Sequence, residues 1–198
     1  MDSSAYLHAL TALFVIIDPI GAALIFNSLT GDCEKKHRTV MAVKAVLISG
    51  VTLILFGNYG EALFSQLGIN INSLRISGGL LLFYTAFNMV TKATGIMSAS
   101  NSDDISVYPM SIPMISGPGT LTLSILLFSH TTELTGKLAV SSAIISILAL
   151  TLFCMLVSKY LKKIIGKTGD EILKRFFGII LAALAIQFIY DGIKNIGF

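Results

Sequence analysis

Charged side chains are scarce in this chain. Only 13% of its 198 residues are Asp, Glu, Lys or Arg, against about a quarter in an ordinary soluble domain. Hydrophobic residues make up 54% and the mean hydropathy is +0.82, which is more apolar side chain than a core of this size can hide. This balance argues against a soluble globular enzyme, and it predicts a polytopic membrane protein.

The groups needed for several other kinds of chemistry are absent or scattered. Cys33 lies in a charged stretch and Cys154 in an apolar one, which argues against a structural disulfide. The histidines have no metal-ligand spacing, and no phosphate-binding glycine loop follows a strand pattern. We therefore expect no metal, no cofactor and no enzymatic activity. The net charge of +3 is expected to set membrane orientation, not nucleic-acid binding.

Apolar runs between turn and charge clusters predict six membrane-spanning helices. They cover residues 6–29, 40–56, 71–90, 107–128, 138–157 and 176–196. The joints between them are too short for a second domain, so we expect one all-α transmembrane domain over residues 1–198.

Lysine and arginine are divided unequally among the joints. Ten lie in the first, third and fifth joints, and two lie in the fourth joint and the C-terminal end. The positive-inside rule then places both termini outside. Lys44 and Arg75 lie near span ends, where they can snorkel to the headgroups, and residues 160–173 mix lysines with apolar residues as an interfacial helix does.

Two features recur at about half the chain length. Pro19 precedes Pro118 by 99 residues, and Arg75 precedes Arg175 by 100. We divide the chain into repeats of about 1–98 and 99–198 with three spans each, so the second repeat enters the membrane from the opposite side. Chance similarity between two apolar sequences is the alternative.

The two prolines lie at the middle of the first and fourth predicted spans. Proline removes a helical donor, and Gly21, Gly117 and Gly119 loosen the backbone further, so both helices are predicted to break at mid-membrane. After each break a half-helix can begin with proline at its first position. A simple kink without a ligand is the alternative.

The residue before each proline differs between the two breaks. Asp18 is a good N-cap, whereas Gly117 has no side chain with which to cap. We therefore predict that the backbone N–H groups of Gly119, Thr120 and Leu121, with the Thr120 hydroxyl, receive a substrate carboxylate. Asp18 would face an ammonium group or carry a proton; the alternative is that it only caps its helix.

Two amides lie inside apolar runs, Asn88 in the third span and Gln187 in the sixth. Each could line a solute pathway or form a hydrogen bond between helices. The small residues around 77–79 and 178–183 are predicted to be helix-packing surfaces.

Four stretches resemble the MarC family of bacterial inner-membrane proteins: DPIG at 18–21, RISGGL at 75–80, PMSIPMISGPGT at 109–120, and residues 175–193. The resemblance covers essentially the whole chain. It implies six spans in two inverted halves, a bacterial inner-membrane location, and proton-coupled transport of small neutral amino acids such as glycine, alanine or serine. In such a membrane, the outside position that the positive-inside rule gives both termini is periplasmic. The substrate site that the resemblance implies comprises Asp18, Pro19, Gly21, Gly117, Pro118, Gly119 and Thr120.

The leading hypothesis is a secondary transporter of small zwitterionic solutes, set in the lipid bilayer and working by alternating access. A second hypothesis is an exporter of amino acids or other small metabolites. A third is a non-transporting membrane scaffold in which the prolines only shape helices. Uptake and efflux, and any oligomeric state, are equally compatible with the sequence.

Overall fold

A computed structural model describes residues 3–31, 33–91, 104–131 and 133–195, with the side chains of 167 and 170 left aside. Within these ranges the secondary structure is helical and contains no strand. The elements are α1 (Ser3–Ile17), α2 (Pro19–Leu29), α3 (Lys35–Gln66), α4 (Ile71–Thr91), a π-helical segment (Ser106–Ile115, the π segment), α5 (Pro118–Ser129), α6 (Leu134–Leu156) and α7 (Ser158–Asn195).

In the described part of the chain, four helical stretches are long and apolar enough to cross a membrane: Ser3–Leu29, Lys35–Gln66, Leu134–Leu156 and Glu171–Asn195. The π segment and α5 form a fifth if this pair, bent by 55°, is one broken span. The α4 helix, our predicted third span, is not among them, because Asn72, Arg75 and Asn88 lower its mean hydropathy. The prediction of a helical polytopic membrane protein is confirmed.

The α3 helix is longer than we predicted. Its expected end at residue 56 is wrong, because the helix continues through Gly57 and Gly60 to Gln66. A Cβ on Gly57 would lie 2.5 Å from the Phe128 ring, and one on Gly60 would lie 2.7 Å from Ile125. These glycines therefore allow α5 to approach α3 closely and do not form a turn.

The fourth predicted span contains more breaks than the one expected at Gly117. Tyr108 and Ile112 have extended backbone angles inside the π segment, and each precedes a proline through a cis peptide bond. Proline disfavours the helical conformation of the residue before it. This local rule accounts for both breaks.

The joint predicted at residues 158–175 is helical. The α7 helix begins at Ser158 and is interrupted at Gly166, where φ is 65° and ψ is −177°. A glycine accepts this angle at little steric cost. The residues from Ser158 to the break therefore form a short helix of their own before the membrane-crossing part.

The helices pack in pairs. Both α1 and α2 contact α6, while the π segment and α5 contact α3. The α2 helix also contacts α7, and α5 also contacts α4. In addition, α3 contacts α6, and α4 contacts α7. The main buried cluster draws on α1, α2, α3, the π segment, α5 and α6, so the two broken stretches lie inside the bundle.

Small residues bring α4 and α7 together. A Cβ on Gly79 would lie 2.8 Å from the Ala185 carbonyl oxygen, and one on Gly178 would lie 3.2 Å from that of Ala86. Neither backbone can move aside without separating the helices. The predicted packing role of these positions is confirmed.

We expect Gly79→Ile to lower the free energy of unfolding by about 1–3 kcal/mol, because the added side chain meets α7 backbone. Thermal unfolding of the detergent-purified protein measures the loss. Ala62→Ile is the matched control, since Ala62 is exposed on α3. Equal midpoints for the two variants would contradict close α4–α7 packing.

Candidate functional site

The first break is at Asp18, which lies between α1 and α2 in a left-handed conformation with φ 46° and ψ 72°. Its carboxylate accepts a hydrogen bond from the Gly21 N–H at 3.0 Å. A Cβ on Gly21 would collide with that carboxylate, so glycine is what allows Asp18 to lie over the start of α2. The predicted break and the predicted cap are both confirmed.

The second break is at Gly117, which precedes α5 with an extended backbone and no side-chain cap. Pro118 is the first helical residue, as expected. The Leu121 N–H donates to the Gly117 carbonyl oxygen at 2.9 Å. Our prediction that the Leu121 amide is open is therefore wrong: the carbonyl of an N-cap residue accepts the first intrahelical bond, and Leu121 supplies it.

Two amides at the start of α5 remain open. Within the described ranges, the N–H groups of Gly119 and Thr120 donate to no backbone or side-chain acceptor, and the Thr120 hydroxyl makes no hydrogen bond. Gly119 is buried and Thr120 is 2% exposed. Buried N–H groups without an acceptor are rare and costly, and at a helix N-terminus they favour an anion.

Leu82 of α4 covers one side of this helix start. A Cβ on Gly119 would collide with the Cδ2 atom of Leu82, and Leu82 belongs to the same buried cluster as Val15 in the last turn of α1. In addition, α1 contacts α5 and α2 contacts the π segment. The two broken stretches thus lie side by side, with the α5 amides enclosed.

The two predicted pathway amides lie on α4 and α7. Gln187 is exposed on α7 and donates to Asp191 of the same helix at 2.9 Å, so this bond does not join two helices. Asn88 is half-buried on α4 and makes no hydrogen bond to a described residue. A part for either residue in a solute pathway stays a prediction.

Buried hydroxyls that we did not single out line the α3 side of the break. Ser49 and Ser111 are hydrogen-bonded at 3.0 Å between α3 and the π segment, and Ser116 donates to the Ser111 carbonyl at 3.0 Å. Isolated serines carry no signal in a sequence, because any of them could bond its own helix. Here they satisfy the irregular backbone beside Gly117.

A cavity of about 570 Å³ lies at the end of the molecule where α2 ends and α3 begins. We call this end of the molecule the basic end. The cavity reaches Met41, about 9 Å along α3 from Lys35. It is lined by Leu29, Thr30, Cys33, Glu34, His37, Met41 and Ile105. None of the predicted site residues lines it.

At the opposite end, Arg75 and His130 connect α4 to the end of α5, with Nη2 and Nε2 2.8 Å apart. Burial lowers the pKa of the His130 imidazole below its usual 6.5, and the Arg75 charge lowers it further, while Asp191 and Glu61 act in the other direction. Neutral His130 can accept from Arg75, whereas protonated His130 would repel it.

We expect the stability of the protein to fall as the pH drops below about 6.5, because the unfolded chain then binds a proton at His130 that the folded state resists. Above that pH the contribution is complete. Midpoints of thermal unfolding from about pH 5 to pH 8 measure it. His130→Gln keeps an acceptor that does not titrate, so it should flatten the profile; an unchanged slope would contradict the assignment to His130.

The geometry defines a class: a polytopic helical membrane protein in which two proline-broken stretches lie side by side in the bundle. The family model described as "MarC family integral membrane protein" matches residues 3–197. The chain belongs to the MarC family.

Its relatives are similar over nearly their full length. A UPF0056 membrane protein of Methanocaldococcus jannaschii is 31% identical over 98% of both chains. The UPF0056 membrane protein YvbG of Bacillus subtilis is 32% identical over 98% of this chain and 97% of its own, and a UPF0056 membrane protein of Aquifex aeolicus is 31% identical over 96% and 93%. No solved structure matches the chain.

Proposed function

We propose that the protein is a secondary transporter that carries small neutral amino acids across the bacterial inner membrane. It binds the solute between the two broken stretches and exposes it alternately to each side, coupled to protons. No covalent bond is made or broken, so the activity is translocation and not catalysis. The termini are periplasmic and the basic end is cytoplasmic, as the distribution of lysine and arginine supports.

The contact pattern supports an architecture of six spans in two inverted repeats. The π segment, α5, α6 and α7 correspond in order to α1, α2, α3 and α4. When each element is replaced by its counterpart, the α1–α6 contact becomes the contact of the π segment with α3, and the α2–α7 contact becomes the α5–α4 contact. The α3–α6 and α4–α7 contacts convert into themselves. A pseudo-twofold axis in the membrane plane would produce this pattern, and it makes α4 the third span.

The observation that carries the proposal is the pair of buried open amides of Gly119 and Thr120. A carboxylate would accept from both, and the positive end of the α5 dipole would favour its charge. The corresponding start of α2 is closed by the Asp18 carboxylate, which supplies a negative charge for an ammonium group. The open amides of α5 would therefore bind the carboxylate of a zwitterion, and the Asp18 carboxylate at the start of α2 would bind its ammonium group.

The enclosure of the site favours a small solute. Leu82 already touches the Gly119 backbone, and Thr120 is 2% exposed. Glycine, alanine and serine carry little beyond the two charged groups, so they need the least displacement of Leu82.

Counterflow in proteoliposomes tests the proposal. Vesicles preloaded with unlabelled glycine, alanine, serine or threonine should accumulate the labelled solute only when the purified protein is present. Lysine and glutamate at the same concentration serve as charged controls. Absence of counterflow for all four neutral solutes, with the protein shown to be folded and inserted, would favour the scaffold hypothesis.

A further inference from the structure

Arg38 is a buried cation in the first turn of α3, 7% exposed. Its Nε donates to Thr30 Oγ1 at 3.0 Å. Its Nη2 donates to Asn27 Oδ1 at 3.1 Å and to Ser158 Oγ at 2.9 Å. Arg38 therefore joins the end of α2 to the starts of α3 and α7 at the basic end. The sequence by itself indicates this arginine only as one of the charges that orient the chain in the membrane.

The charge of Arg38 is not neutralised by the described part of the chain. No described carboxylate lies within ion-pair distance of Arg38. The ion pair that the described residues form is between Lys44 and Asp104. The bonded partners of Arg38 are all uncharged, and Nη1 donates to none of them. Among the described residues no fully buried side-chain nitrogen is without a partner, so Nη1 must be partly accessible. A buried guanidinium with two spare donors favours an anion.

The short helix that Arg38 fixes has the character of an interfacial segment. It runs from Ser158 to the break at Gly166. Two of its apolar side chains are strongly exposed, Tyr160 at 74% and Ile164 at 82%, while Leu161 packs against the main buried cluster. Three further side chains on it are exposed cations: Lys159, Lys162 and Lys163. Exposed apolar residues interleaved with lysines are typical of helices that lie at the headgroup level of a bilayer.

We propose that Arg38, with the lysines of this short helix, binds the phosphate group of an anionic phospholipid. The guanidinium fork presents paired N–H groups that match phosphate oxygens, and the lysines add charge at the membrane surface. A soluble phosphate would match Arg38 equally well, but it would leave Tyr160 and Ile164 without apolar contacts. A lipid supplies both the phosphate and the acyl chains. The proposal does not depend on transport.

Thermal unfolding in detergent micelles tests the site. The protein is titrated with phosphatidylglycerol, with phosphatidylcholine and, in a separate arm, with inorganic phosphate. One variant combines Lys159→Gln, Lys162→Gln and Lys163→Gln, whose native side chains are exposed and bond no described residue. A second is Arg38→Lys, which keeps the charge but not the fork. The control combines Lys137→Gln and Lys194→Gln at the opposite end.

We expect phosphatidylglycerol, but not phosphatidylcholine, to raise the unfolding midpoint, as a ligand of the folded state does. The triple variant and Arg38→Lys should lose most of that rise, and the control should keep it. An equal effect of the two lipids, or a full rise in the triple variant, would overturn the proposal even if Arg38→Lys does not fold. Stabilisation by inorganic phosphate alone would overturn the assignment to a lipid.

Discussion

Replacing Asp18 with asparagine is expected to abolish proton-driven flux while the protein still folds and inserts. Asparagine can keep the native backbone, because it tolerates the left-handed conformation better than most residues, and its carbonyl oxygen can accept from the Gly21 N–H that Asp18 now bonds at 3.0 Å. The substitution therefore removes the charge and leaves the cap. Counterflow and pH-jump uptake in proteoliposomes measure the result.

The choice of asparagine separates transport from stability. Alanine would also remove the cap, which costs about 0.5–2 kcal/mol, and lost flux could then reflect unfolding. Asp191→Asn is the matched control, because Asp191 is a carboxylate on α7 that accepts from Gln187, away from both breaks. Flux with unchanged pH dependence in Asp18→Asn would show that Asp18 only caps α2.

Replacing Gly119 with leucine is expected to eliminate saturable solute binding. The new side chain would occupy the space beside the open amides and collide with Leu82, because its Cδ2 atom is already too close for a Cβ on Gly119. The N-terminus of α5 would then be pushed away from the carboxylate position. Equilibrium binding of labelled glycine or alanine to the purified protein measures the loss.

Two controls separate this effect from general overpacking. Gly60→Leu adds the same side chain at another contact of α5, where a Cβ would lie 2.7 Å from Ile125, about 9 Å along the helix from Gly119, so it should lower stability but retain binding. Thr120→Val removes only the hydroxyl and should weaken binding by about 0.5–1.5 kcal/mol. Retained affinity in Gly119→Leu would contradict the amide site.

Both breaks could be predicted from the sequence because their causes are local. A proline removes a hydrogen-bond donor wherever it lies, Asp18 can cap within three residues, and Gly117 cannot. The register of capping bonds is equally local, so the bond from the Leu121 amide to Gly117 could have been predicted by counting residues from the N-cap. The extended backbone at Tyr108 and Ile112 follows from the prolines after them.

The packing roles of other residues depend on partners that are distant in the chain. In the sequence, Gly57 and Gly60 are typical of a turn. The structure shows that they are contact positions, because Phe128 and Ile125 of α5 pack against them. Gln187 could face the bundle or the surroundings, and only the rotation of α7 against α4 decided it. Nothing local indicates that Leu82 covers Gly119.

The sequence by itself determined the membrane class, the helical content and the two broken helix starts, because hydropathy, proline chemistry and capping act within a few residues. The tertiary structure alone decided which glycines are contacts, how the open amides are enclosed and why Arg38 is a buried cation. The reason is that these features depend on partners distant in the chain. Arg38 is the clearest example, because its burial requires Asn27, Thr30 and Ser158 together, and Ser158 lies 120 residues away in the chain.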